Sequence, residues 1–118
     1  MCHALLPQRQ RAPGIPLDGR FTNEAIEILL NHLQDRGISP VACQIQLFGG
    51  ARLFTQPELT VLDVGQRNIE VARQVLTQLS LPLKHSDVGG TLPRRLHFDL
   101  QNGQVNNTYS PQITKERM

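Results

Sequence analysis

Between residues 22 and 36 the apolar positions Ala25, Ile26, Leu29, Leu30 and Leu33 recur at three- and four-residue spacing. That period lays them along one face of a helix. Thr22 is placed as its N-cap, Glu24 to favour the positive end of its dipole, and Gly37 to stop it. From Val41 the period shortens to two. Val41, Cys43, Ile45 and Leu47 fall on one face and Ala42, Gln44 and Gln46 on the other, which predicts a half-buried strand ended by Gly49-Gly50. Residues 51–64 read as irregular, with a short extended piece at Thr60–Leu62. Ile69, Ala72, Val75, Leu76 and Leu79 predict a second amphipathic helix over 66–79. A strand near 81–87 follows, then Gly89-Gly90. Leu96, Phe98 and Leu100 next alternate with Arg95, His97 and Asp99, and Asn102-Gly103 is a strong hairpin signal returning the chain along Gln104–Tyr109.

Ahead of these elements, Cys2–Leu6 reads as a short strand stopped by Pro7. Residues 7–20 form a loop with three prolines, two glycines and three arginines. Its length and exposure suit either partner contact or a solvated connector. Beyond Pro111 a polar tail is expected to fray. The order β-α-β-α-β-β-β is an α/β mixture with an antiparallel end. Its 118 residues suit one domain over 1–110 with a tail over 111–118.

Composition narrows the class without giving a role. The apolar runs are far shorter than the about 20 residues of a membrane helix, and the start lacks a basic stretch ahead of an apolar one, so neither membrane insertion nor secretion is expected. Two cysteines make no disulfide framework and point to a reducing, cytoplasmic setting. The 12 Lys+Arg exceed the 10 Asp+Glu by a net charge of +2, and ten of those cations are arginines scattered from Arg9 to Arg117. A nucleic-acid footprint needs a denser patch.

Several side chains have ordinary and chemical readings side by side. Gly49-Gly50 and Gly89-Gly90 either supply positive φ and close packing at strand ends or cradle a substrate backbone; neither precedes the Lys-Ser/Thr of a phosphate loop. Arg67-Asn68 opens the second helix and holds the preceding loop. His97 and Asp99 share a strand face and mimic part of a triad, or are simply its solvated side. His32 and His85 have no acidic or cysteine partner in sequence and read as surface residues. Cys2 beside His3 falls short of a zinc site, and no metal or cofactor is expected.

Read together, five blocks resemble the CheD family of chemoreceptor glutamine deamidases: Met1-Cys2-His3-Ala4-Leu5-Leu6-Pro7; Asp18-Gly19-Arg20 before a helix; Leu47-Phe48-Gly49-Gly50-Ala51; Gly65-Gln66-Arg67-Asn68-Ile69; and Asp87-Val88-Gly89-Gly90-Thr91 running on through Pro93-Arg94 and His97-Phe98-Asp99 to Gly103-Gln104-Val105. The resemblance implies an α/β layered sandwich, a mixed and largely antiparallel sheet with two helices, incomplete at its N-terminus. It implies hydrolysis of receptor glutamine carboxamides to glutamate, in some members with receptor methylesterase activity as well. The expected partners are methyl-accepting chemoreceptors and the CheC-type phosphatase that docks on some members, with no nucleic acid. In such chemistry a thiolate attacks the carboxamide carbon, ammonia leaves and water clears the thioester, while a histidine moves the protons. By position His3 matches the family's histidine.

The family's nucleophilic cysteine sits in a Gly-Ser-Cys block upstream of that strand, with a supporting threonine also upstream. Both lie outside this sequence. On strand alternation Cys2 and His3 point to opposite faces, and Cys43 falls on an apolar face, so neither cysteine is expected to replace the nucleophile. Three expectations follow: a start placed too late, a truncated gene, or a non-catalytic relative that binds receptor or CheC-type partner.

Overall fold

The structure, a computed structural model, describes residues 1–52 and 63–110. Helix α1 spans Thr22–Asp35. Phe21 is its N-cap, in extended conformation and without a side-chain cap bond. The Thr22 hydroxyl, expected to accept from the first turn, instead donates to the Leu6 carbonyl at 2.9 Å. The Thr22 N–H reaches the same oxygen at 2.8 Å. Glu24 stands in the first turn of α1, as expected, and is buried there, 2% exposed. Arg9 donates to both its oxygens at 2.9 Å, and the Asp18 N–H adds a third bond at 3.0 Å. A buried carboxylate is costly unless paired and hydrogen-bonded, so this one fastens the loop over 7–20 to α1. Arg9 also donates to the Pro16 carbonyl at 3.0 Å and lies 4.6 Å over the Phe21 ring. The hydrogen bond from Arg9 is the largest cause of a lowered Glu24 pKa.

The strand expected from Val41 begins later. Pro40 opens a 3-10 turn over Pro40–Ala42, and the Cys43 N–H closes onto the Pro40 carbonyl at 3.0 Å. Proline's fixed φ suits that turn, so β1 is only Ile45–Gly49. Helix α2, Val64–Gln78, is capped by Asp63, whose carboxylate accepts from the Gln66 N–H at 3.1 Å. Strand β2, Leu83–Val88, pairs in parallel with β1, a geometry that needs a crossover connection, here carrying α2. Ile69, Val71, Ala72 and Leu76 of α2 are buried, with Ala25 of α1 and Leu81 after α2 completing the apolar core. The extended piece expected at Thr60–Leu62 and the tail over 111–118 lie outside the described residues.

Strands β3, Arg94–Phe98, and β4, Val105–Tyr109, pair antiparallel. The turn is longer than a two-residue Asn-Gly hairpin. It runs over residues 99–104: the Asp99 carboxylate takes the Gln101 N–H at 2.9 Å, and the Asn102 side-chain oxygen takes the Gln104 N–H at 2.9 Å. Leu100 therefore leaves the strand and is 88% exposed. The α/β class holds, with its antiparallel end, and the described strands form two sheets of two, β1-β2 and β3-β4. The strand expected over Cys2–Leu6 is reduced to a single parallel bridge between Leu6 and Phe21.

Candidate functional site

A cleft of about 1130 Å³ opens between residues 1–5, α1, the end of β1, the start of α2 and β3. Its N-terminal wall is held by the Leu5 and Leu6 N–H groups, both donating to the Arg20 carbonyl, at 2.9 and 2.8 Å. Asn68, on the second turn of α2, donates to the Leu6 carbonyl at 3.2 Å with its amide nitrogen turned inward. Arg67-Asn68 is expected to hold the preceding loop, most of which lies outside the described residues; among those, Asn68 holds the N-terminal wall.

The end of β1 forms another part of the lining. Gly49 and Gly50 have φ of 112° and 70°, a region that favours glycine. A Cβ on Gly50 would run into the Ile69 side chain, and one on Gly65 would stand 2.8 Å from the Gly50 carbonyl oxygen. Here close packing is a firm requirement. Gly89 and Gly90 also have positive φ, but a Cβ on either meets open space. The Gly49 carbonyl accepts from the Gly89 N–H at 2.8 Å and from Arg94 at 3.3 Å, while the Arg52 N–H donates to the Gly90 carbonyl at 2.7 Å.

Arg94 ties this wall to the second sheet. Its side chain is 6% exposed and lies against the Asp87 carboxylate with nitrogen–oxygen distances of 3.2 and 3.3 Å. Tyr109 and Asn107 donate to the same carboxylate, and the guanidinium sits 5.2 Å from the Tyr109 ring centre. Hydrogen bonds from Arg94 first and Tyr109 second hold Asp87 down at about 2. Sequence reading quoted Asp87 and Arg94 only as parts of a longer block. The available signal was an acid and an arginine on either side of a double-glycine turn, which lets two strands face them together.

His3 and Cys2 both line the cleft and both are exposed. The alternation expected to part them does not apply, because residues 2–5 are not strand. No hydrogen bond joins them among the described residues. Desolvation raises the Cys2 thiol pKa, with the N-terminal ammonium pulling the other way. That net direction disfavours the thiolate a nucleophile needs. Cys43 precedes β1 rather than lying on its apolar face; it is half-buried, outside the cleft, with its sulfur 3.9 Å from the Ser39 carbonyl. Asp99 forms the 99–104 turn, so it does not pair with the exposed His97. His32 is exposed in the last turn of α1, and His85 stands 5.5 Å from the Phe48 ring. Among the described residues no group of three His, Cys, Asp or Glu side chains could hold a metal, and no helix is long and apolar enough to cross a membrane.

The family model described as "CheD chemotactic sensory transduction" matches residues 5–108. A "Probable chemoreceptor glutamine deamidase CheD 3" from Dechloromonas aromatica is 43% identical over 105 residues, covering 89% of this chain and 62% of that protein. "Probable chemoreceptor glutamine deamidase CheD 1" of Chromobacterium violaceum is 41% identical, covering 89% of this chain and 55% of the relative. The similarly named protein of Pseudomonas fluorescens is 41% identical, with 89% and 60% covered. The chain thus spans about three fifths of the length of these curated relatives.

Proposed function

The chain belongs to the CheD family, and from that premise we propose that it carries the histidine side of a deamidase site acting on glutamine carboxamides of chemoreceptors in the cytoplasm. The observation that carries this reading is the position of His3 on the cleft that Gly49, Gly50 and Ala51 also line. The family match begins two residues further on, so the role of His3 rests on that position and on the resemblance of its surrounding segment.

In this reading the nucleophile is a cysteine that precedes residue 1 in the complete protein. Its thiolate attacks the side-chain carboxamide carbon and forms a tetrahedral intermediate. His3, having taken the thiol proton, returns it to the departing nitrogen, and ammonia leaves. Water then adds to the thioester, gives up a proton to His3, and releases glutamate and the regenerated thiol. No cofactor enters the balance. A CheC-type phosphatase is the natural second partner.

A binding-only reading has one observation in its favour: among the described residues neither cysteine is hydrogen-bonded to His3, and desolvation pushes the Cys2 thiol up. Ammonia release from a purified glutamine-form receptor fragment decides between the two, with intact mass of the product as the check. The 118-residue chain and an N-terminally longer version that includes the preceding cysteine are assayed side by side. Turnover only in the longer version upholds the deamidase reading with an upstream nucleophile. Turnover in the short chain assigns the nucleophile to Cys2 or Cys43. Receptor binding with no turnover in either replaces the enzyme by a binding module.

A further inference from the structure

Around the Gly49–Ala51 turn the Gly49 carbonyl is bonded, whereas two amides have no acceptor among the described residues. The Gly49 oxygen takes two donors, Gly89 N–H at 2.8 Å and Arg94 at 3.3 Å. The Gly50 carbonyl is pressed against Gly65. By contrast, the N–H groups of Gly50 and Ala51 have no acceptor among the described residues, although both residues line the cleft that His3 lines. Two successive positive φ values precede these amides, and consecutive backbone N–H groups in such a turn make a concavity suited to an electron-rich oxygen. We propose that Arg94, held by Asp87, is a positioning residue: it fixes the Gly49–Ala51 turn so that the Gly50 and Ala51 N–H groups hold the oxygen of a substrate carboxamide.

This deepens the deamidase reading and rests on it. Attack on a carboxamide moves charge onto its oxygen, and donors already fixed at that place need no reorganisation as the charge grows. Two devices keep the turn fixed. On one side Ile69 and Gly65 leave no room for movement toward α2. On the other, the Arg94 fork is anchored on Asp87 and reaches the Gly49 oxygen with its remaining nitrogen. A lysine keeps the charge but has no fork to make both contacts at once. Arg94 itself is assigned no contact with substrate.

The test uses the 118-residue chain, labelled with nitrogen-15, and N-acetylglutamine methylamide as the carboxamide probe. The norvaline analogue, which has the same backbone amides and no side-chain carbonyl, is the control. The expected result is a saturable downfield movement of the Gly50 and Ala51 amide protons with the glutamine probe alone. Arg94→Lys displaces both resonances in the free protein and weakens the probe about tenfold, the scale of one misplaced hydrogen bond, while α1 and α2 resonances stay in place. If Arg94→Lys does not fold, Asp87→Asn, which frees the guanidinium without removing it, is held to the same criteria. Stationary Gly50 and Ala51 resonances, or a variant that binds as tightly as the parent, overturn the proposal. Ammonia release fails separately. Turnover without movement at Gly50 and Ala51 sinks the cradle alone, and a probe seated on these amides without turnover in any version sinks the reaction alone.

Discussion

Gly50 and Gly65 meet backbone to backbone, so closely that a Cβ on Gly65 would stand 2.8 Å from the Gly50 oxygen. The end of β1 thereby rests on the first turn of α2. Gly65→Ala sets two effects against each other. Alanine gains about 1 kcal/mol in helix propensity over glycine, but a methyl forced against backbone costs roughly 1–3 kcal/mol because neither carbonyl nor helix can swing away. The clash prevails, and the urea midpoint falls with an unchanged slope. A midpoint that rises would mean the strand end yields freely.

Acid should loosen the joint between the sheets. Asp87 sits near 2 in the folded protein, below its ordinary value of 3.8. Its contribution is therefore complete above about pH 5 and is lost as pH falls through the folded value near 2. Asp18, also held near 2 by Arg20, and Glu24, lowered by Arg9, act with the same sign. Thermal melts between pH 7 and pH 2 should show a steady decline below about pH 5. In Asp87→Asn the decline should be shallower and the neutral-pH melting temperature lower. Parallel curves for the two proteins would contradict the assignment.

Glu24 should control access to the loop over 7–20. Glu24→Gln removes the charge that faces Arg9 and leaves a buried amide against the guanidinium. Trypsin cleavage after Arg9 and Arg11 is expected to accelerate several-fold under native conditions, whereas Arg20→Gln, which breaks only the surface pair with Asp18, should leave cutting at those sites unchanged. Equal rates in parent and Glu24→Gln would show that the ion pair does not hold the loop.

For catalysis, His3→Ala in an N-terminally longer, active version should reduce deamidation by about 10²- to 10⁴-fold, the range for a lost general base. Receptor binding should change little. Cys43→Ser, outside the cleft, should keep full activity. A His3→Ala enzyme within a few-fold of the parent would remove His3 from the mechanism.

The helices were the most legible part of the sequence. Expected over 22–36 and 66–79, they lie at Thr22–Asp35 and Val64–Gln78, because their apolar faces and the core they build follow one period. The strands were legible where alternation was free of competing local bonds. Val41 and Cys43 fit the alternation but follow Pro40, whose turn takes them out of the ladder. Leu100 fits the alternation too, yet Asp99 and Asn102 bind nearby backbone amides and open the hairpin. Thr22 does not serve as a side-chain cap for a related reason: a cap is local, whereas its partner, Leu6, lies 16 residues away; Glu24 keeps its first-turn place and gains Arg9, 15 residues away, as a partner. Of the cleft lining, the double glycine was visible in the sequence, and His3, singled out there by resemblance, lies on the same cleft. The Asp87–Arg94 tie to the Gly49 carbonyl was not visible, since it depends on two sheets meeting.

A pair of strands on its own is only marginally stable in water, and here, among the described residues, two such pairs share no ladder. Asp87, Arg94, Asn107 and Tyr109 make the hairpin and the parallel pair depend on one another. The protein should therefore lack a separate opening event for the hairpin: hydrogen exchange at β4 would track that at β1, as in one cooperative foldon. Whatever grips β4 thus acts, through its ladder to β3 and the Asp87–Arg94 tie, on the cleft that β3 lines.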